Sequence, residues 1–567
     1  MTTLRRLVPI PCLVAALAAP VGAQAPAAEF LERVEVRVAE IDVVVLDADG
    51  NPVRGLGRAD FELFEDGKPI DISNFLAYDE EATVTAETGG EAPPAAEEAP
   101  VAVPPPPANW VVYLDQDRLE PSARAEVLRQ FARFLGSGIH AGDRALVATF
   151  DGASLKVAVP LTTDLARVAA GLEGLQKKRG YVSQLESQRS FLRRRILAVN
   201  PADRGADVEA EALLEEIGQI SDEEVLSARL GVQALRDLLS LSAGLEGRVA
   251  ILLAGAGFES RPGEGLYRLW QQKFGNQMGR GRTDRELDDR AADVRREYGR
   301  LLGAINGGRF TFYTVQAGGT RGPDVSAETP NDIGMLAPGG DDTTGLRLGS
   351  SLAALASETG GRTFVVAPDL PKRMEVVRRD LATYYSLGYH PEGDQPGRRR
   401  HIEVKVRRPG MRVLARTQVS DPEAGDRLSD TAVAALLGSE GAPNPLGVSL
   451  EVLAPQAPAK RGSVMVPVVV HVPLANVTLL PDGAQHKGHL VFQFAIQDPD
   501  GGFRRLDSRP LDFDVPNDKL VQAISQSVSF RVEMAFAPGS YRVSASVLDE
   551  LAGTLSSATG PVTVAAR

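Results

Sequence analysis

Cysteine is almost missing from this sequence: among 567 residues only Cys12 carries a thiol. It lies in the apolar run from Leu7 to Ala19, which follows Arg5 and Arg6 and leads to the small residues Val21, Gly22 and Ala23. That layout reads as a secretory signal over residues 1–23. The small residues of a lipoprotein signal do not precede Cys12, so it reads as filler. Export then leaves a mature chain without a disulfide. A second long apolar run is also lacking, so no later stretch is expected to span a bilayer as a helix. Positive charge is in deficit. The 62 Lys and Arg face 75 Asp and Glu, for a net charge of −13, or −15 once the two signal arginines are gone. Such a surface disfavours nucleic acid and anionic lipid as general partners. There is no Gly-x-Ser-x-Gly elbow, no Walker-type loop and no His-Glu-x-x-His pattern, so three common enzyme classes lack their signatures.

What remains is an ordinary globular composition, 43% hydrophobic and 24% charged, on a chain long enough for about three or four domains. Its organising stretch is Asn109-Trp-Val-Val-Tyr-Leu-Asp115-Gln-Asp117. Val111 to Leu114 suit a strand buried on both faces of a parallel sheet. Pro121 to Leu135 then places Val127, Leu128, Phe131, Phe134 and Leu135 at helical spacing and stops at Gly136. This predicts an open α/β sheet over residues 109–382, with Asp115 and Asp117 at the carboxyl rim where ligands of such sheets bind. Further strands are expected at Ala145–Phe150 and Leu155–Val159, joined by an Asp151-Gly152 hairpin, and at Arg248–Leu253, Phe310–Val315 and Thr363–Val366. Ser221 with Glu224 offers a capping box for a helix to Ser242.

Around this domain the pattern turns to strands. Residues 30–79 form a small β module with turns at Asp47–Pro52 and Asp66-Gly67, and a slip in the alternation between Val38 and Ile41 suggests a bulge or two short strands. Residues 80–108, rich in Pro, Glu and Ala, read as a disordered linker. Residues 383–420 return to β structure, 421–446 read as a second linker, and 447–567 alternate as a β-sandwich. The charged stretch 180–220, basic around Arg193–Arg195 and acidic around Glu209–Glu216, reads as an inserted pair of helices. They form either a solvated hairpin or an arm that docks a partner.

Four segments carry a family resemblance. They are Val43-Val-Val-Leu-Asp-Ala-Asp-Gly-Asn-Pro-Val-Arg-Gly55-Leu56, Asp60-Phe61-Glu-Leu-Phe-Glu-Asp-Gly-Lys-Pro69, Tyr384-Tyr-Ser-Leu-Gly-Tyr389 and Ile402-Glu-Val-Lys-Val-Arg-Arg-Pro-Gly410. With the α/β core between them, residues 31–417 resemble the bacterial VWFA-related family of secreted proteins, which carry a von Willebrand factor A-type domain. The resemblance implies a doubly wound α/β domain flanked by β modules, the early and late segments pairing into one small sandwich. It also implies a divalent-metal site, formed by an Asp-x-Ser-x-Ser turn, a Thr in a later loop and a final Asp. Asp115 matches the first position; Asp117 and Leu119 replace the serines. Gln176 to Tyr181 contains no threonine, and the last Asp falls at Gly255. The expectation is therefore a degenerate site at Asp115 and Asp117, with no cofactor held, and Mg or Ca as the ion if one binds.

Two other signals read blandly. Gly255-Ala-Gly257 lacks the third glycine of a dinucleotide fingerprint. His486 and His489 flank a loop-like Lys487-Gly488 and have no carboxylate neighbour in sequence. The reading reached is an exported protein without enzymatic activity that binds other proteins of the envelope or extracellular space, as an adhesin or scaffold. The alternatives are an envelope assembly factor, or an envelope hydrolase whose site is assembled from distant residues.

Overall fold

The computed structural model describes residues 38–81, 102–116, 119, 121–136, 140, 142–176, 183–243, 245, 247–255, 257, 261–278, 281–317, 348–391, 397–421, 423–436, 444–458 and 462–565. The expected signal, most of the first linker, Asp117 and the loop after Gln176 lie outside them. The chain begins with β1 (Ala39–Leu46), β2 (Phe61–Glu65), β3 (Lys68–Ile70) and β4 (Asn74–Asp79). Among the described residues β1 starts after Val38 and pairs in unbroken register; Val34 and Val36, the earlier half of the slipped alternation, lie outside them.

The next stretch holds β5 (Asn109–Asp115), α1 (Pro121–Gly136), β6 (Arg144–Phe150), β7 (Leu155–Thr162) and α2 (Leu165–Gln176). Then come α3 (Ser183–Ala198), α4 (Ala206–Ser242), β8 (Val249–Gly255), α5 (Glu264–Met278) and α6 (Gly281–Asn306). β9 (Phe310–Gln316), α7 (Leu348–Glu358), β10 (Arg362–Val365) and α8 (Leu370–Ala382) follow. These strands form one six-stranded sheet, ordered β10-β9-β8-β5-β6-β7, parallel except for β7. β5 is central and buried on both faces because every residue from Trp110 to Leu114 is apolar or aromatic. Trp110, Val112 and Leu114 face α1, α2 and α8, while Val111 and Tyr113 face α4, α6 and α7. That alternation is the two-residue period of a strand serving two cores at once.

After the sheet come β11 (Thr383–Tyr389), β12 (Arg399–Val406), β13 (Arg412–Ala415) and β14 (Gln418–Ser420). They pair with the first four strands in two sheets, β13-β1-β11-β4 and β14-β12-β2-β3. Ile41, Val43, Phe61, Leu63, Leu387, Tyr389 and Ile402 share the core between them. The Tyr385 hydroxyl donates to Val53 O at 2.8 Å and accepts from Leu56 N at 3.2 Å, pinning the loop between the first two strands.

The segment 421–446, expected to be a linker, instead contains α9 (Ala424–Ala435). Its polar composition hides an apolar stripe, Leu428, Ala432, Val433 and Leu436, all buried. The stripe packs against α4 on one side and the C-terminal strands on the other. Those strands are β15 (Ser449–Val452), β16 (Ala457–Pro458), β17 (Val464–Pro473), β18 (Leu480–Asp482), β19 (Gln485–Gln497), β20 (Phe503–Arg505) and β21 (Arg509–Pro516). A single-turn helix α10 (Leu520–Ile524) leads to β22 (Ser527–Phe536), β23 (Gly539–Asp549) and β24 (Thr554–Val564). β15, β16 and β22 pair with β17; β18, β20, β21 and β23 pair with β19, and β24 pairs with β23. The two sheets face each other across Val466, Val468, Val470, Leu490, Phe492, Phe494, Val543 and Val547.

The charged insertion also differs from expectation. It is neither confined to residues 180–220 nor a solvated hairpin. α3, the first half of α4, α5 and the start of α6 enclose a core of their own, with Leu192, Ile196, Leu213, Ile217, Trp270, Phe274 and Leu287 inside. Ser221 caps nothing. It lies within α4 and donates to Ile217 O at 2.7 Å, a back-bond to the preceding turn. Glu224 takes the Gly263 backbone N–H at 2.7 Å and Arg189 at 2.8 Å, tying α4 to α3 and α5.

Candidate functional site

The carboxyl rim of the six-stranded sheet is built from the ends of β5, β6, β8, β9 and β10. Parallel pairing brings Asp115 to Phe150 on one side and Leu114 to Ala254 on the other; Gly255 pairs with Gln316, and Gln316 with Val365. Asp115 is therefore the last residue of the central strand, 5% exposed. Gln116 continues the turn, its N–H donating to Phe150 O at 2.9 Å. Gly255 closes against Asp115 from the next strand. A Cβ at position 255 would stand 3.2 Å from Asp115 Cβ and 3.8 Å from Oδ2. The two strand ends are that close because one has no side chain. Gly255 O in turn accepts from Ala317 N at 3.1 Å. Arg124, on the first turn of α1, is buried, and desolvation lowers its pKa.

These residues fit a divalent cation poorly. A hard cation wants six or so oxygens around it. β5 gives the rim one carboxylate among the described residues, and Gly255 of β8 gives it no side chain. Among the described residues no three His, Cys, Asp or Glu side chains gather in a geometry that would hold a metal. Of the two expected site residues, Asp115 stands at the rim and Asp117 lies outside the described residues.

The opposite edge of the sheet is closed by charge. Arg248 and Arg309 immediately precede β8 and β9, and both reach Asp42 of β1, at 3.4 and 2.9 Å. Arg248 also donates to Asp380 O at 2.9 Å and lies 4.2 Å from the centre of the Tyr384 ring. Tyr78 stacks on that ring at 4.5 Å. Arg362 makes a bidentate pair with Asp380 at 2.6 and 2.7 Å. Burial pushes the Asp380 pKa up, against the pull of Arg362. Sequence reasoning passed over this lattice because each of its members reads alone as a solvated charge. Its one legible sign is the pair of arginines placed just before buried strands.

The two histidines of residues 486–489 do not form a pair. His486 and His489 both lie in the continuous strand β19, so an odd spacing turns them to opposite faces. His489 has carboxylate neighbours after all, Asp512 at 2.5 Å and Glu550 at 3.1 Å, brought by β21 and the turn after β23.

No family model matches the chain, and no curated protein matches it. Solved structures that it is similar to include the conserved hypothetical protein BatB from Bacteroides thetaiotaomicron. The identity is 14%, over 48% of this chain and 98% of that one, with a TM-score of 0.23. An aerotolerance-related membrane protein from Bacteroides fragilis, solved with multiple mutations to serines, matches at 11% identity. It has the same coverages and the same TM-score. Likenesses at that level carry no argument about this chain. Among the described residues no helix is long and apolar enough to cross a membrane.

Proposed function

We propose that this is an exported, non-enzymatic protein whose A-type α/β domain binds other proteins of the envelope or extracellular space. It does so at the carboxyl rim of its sheet and without a metal ion. The observation that carries the reading is the closure of Gly255 on Asp115 at 3.2 Å, measured from the Cβ position. In A-type domains, as the sequence resemblance implies, the strand end occupied here by Gly255 supplies a carboxylate to the ion. Here it supplies backbone. With the base of the sheet tied to the N-terminal β module through Asp42, the rim is the end at which a partner fits.

Titrating magnesium, manganese and calcium into the full chain by calorimetry tests the metal-independent part. The expected outcome is no saturable heat. A saturable heat that disappears in Asp115→Ala would overturn it. A broad hydrolase screen tests the non-enzymatic part; turnover that Asp115→Ala abolishes would contradict it.

A further inference from the structure

We infer that the outer edge of β22 docks a second copy of this chain, strand against strand about a twofold axis. β22 is ten residues long and pairs with β17 along its entire length, from Ser527 opposite Pro473 to Phe536 opposite Val464. Among the described residues no strand pairs with its other side. An edge of this kind presents a row of backbone N–H and C=O groups to any strand that can align with it. The usual defences are thin. β22 contains no proline, its register with β17 has no bulge, and no charged side chain points inward.

The two faces of the strand say what fits. The inward row is Val528, Phe530, Val532, Met534 and Phe536. Met534 and Phe536 are buried, but Val528, Phe530 and Val532 are only partly so, although they pack on the sandwich core. Phe530 stacks on Phe492 at 4.6 Å and Phe494 at 6.2 Å and is still only partly buried. A strand added at this edge would cover that apolar row if its own inward row were apolar. β22 itself meets that condition.

Charge then selects the register. Two identical antiparallel strands pair residue i with residue j at a constant sum. The sum must be even, so that backbone groups pointing outward meet. Three such registers lie near the middle of β22. Centring on Arg531 sets arginine against arginine, and centring on Glu533 sets glutamate against glutamate. Centring on Val532 places Arg531 opposite Glu533 of the other copy, twice, and like charges meet nowhere. In that register Phe530 faces Met534 and Val528 faces Phe536, continuing the core across the axis. In the single chain, Arg531 Nη2 meets Glu533 Oε1 of its own strand at 3.1 Å and Gln456 Oε1 at 2.9 Å. Dimerisation exchanges one carboxylate for its twin.

Sedimentation equilibrium of the full chain, from about 1 to about 100 μM, reads the association directly. A reversible dimer is expected. Arg531→Glu and Glu533→Arg should each weaken it by about tenfold or more, since each turns both opposed pairs into like charges. The double variant Arg531→Glu with Glu533→Arg restores the pairing and should restore the dimer. Both positions are exposed, and unchanged circular dichroism melts would show that the fold is intact. A parent that stays monomeric across the range overturns the inference. So do single variants that dimerise like the parent, or a double variant that does not recover.

Discussion

At the scale of single residues the site turns on Asp115 and Gly255. Asp115 was legible in the sequence, because a carboxylate that ends an unbroken apolar run sits at the end of a buried strand. Gly255 was legible only through the family resemblance. That it packs directly on Asp115 needed the structure, since the two are far apart in the chain. Gly255→Asp would push a second carboxylate against a buried one, with its Cβ 3.2 Å from Asp115 Cβ. Like charges this close, partly desolvated, are expected to cost about 2–3 kcal/mol. Millimolar magnesium should recover part of that loss in the variant, because two carboxylates begin an oxygen shell, and should leave the parent unchanged. Thermal melts with and without magnesium check this. An equal magnesium response in both proteins would mean that the parent already has a site.

At the scale of elements, hydrophobic patterning locates the strands of the central sheet to within a few residues. β5, expected from Asn109, spans Asn109–Asp115, and the helix expected at Pro121–Leu135 spans Pro121–Gly136. It failed where polar residues disguise a buried stripe. α9 reads as linker because its four buried apolar residues are spread among Asp, Arg, Ser and Thr. At Ser221, Ser and Glu three apart mimic a helix start inside α4, while the tertiary donor to Glu224, the Gly263 N–H, is invisible in sequence. The helical subdomain makes a test of its own. Trp270 is buried and donates to Ala210 O at 2.7 Å. Trp270→Ala should cost that subdomain about 3–5 kcal/mol. Hydrogen exchange should show α3 and α5 losing protection while β5, β8 and β9 keep theirs.

The α4–α9 junction gives a pH prediction. Asp237 is held at 2.8 Å from Arg505. Burial raises its pKa above the ordinary 3.8, more than Arg505 and Gln233 lower it. The folded state thus binds this proton more tightly than the unfolded chain does. The contribution to stability is fully present below the ordinary value and is lost as pH rises through the raised one. Between about pH 4 and about pH 7 the parent should lose more stability than Asp237→Asn, as read by urea midpoints. The opposite sign would contradict the assignment of burial as the dominant cause.

At the scale of the molecule, the arrangement has a polarity. The amino-terminal ends of the parallel strands are clamped by Arg248 and Arg309 to the N-terminal β module. The C-terminal strands are seated on the sheet's flank by α9, by Arg505 and by the β7 edge, where Val157 N donates to Gly501 O at 3.2 Å. The alternation of valines and phenylalanines announced the C-terminal strands. Their seat is not legible in sequence: Arg505 meets Asp237, Ser240 at 2.7 Å and Asp430 at 3.8 Å, from three remote segments, and each is an ordinary polar residue alone. Val365, at the end of β10 where the proposed partner would fit, stands 53% exposed. The decisive measurement is site-specific photocrosslinking in the envelope fraction from position 365, with position 405 on the N-terminal module as the control. The account expects a protein adduct from position 365 that persists in EDTA. Adducts only from position 405, or rim adducts that vanish when divalent ions are chelated, would contradict it.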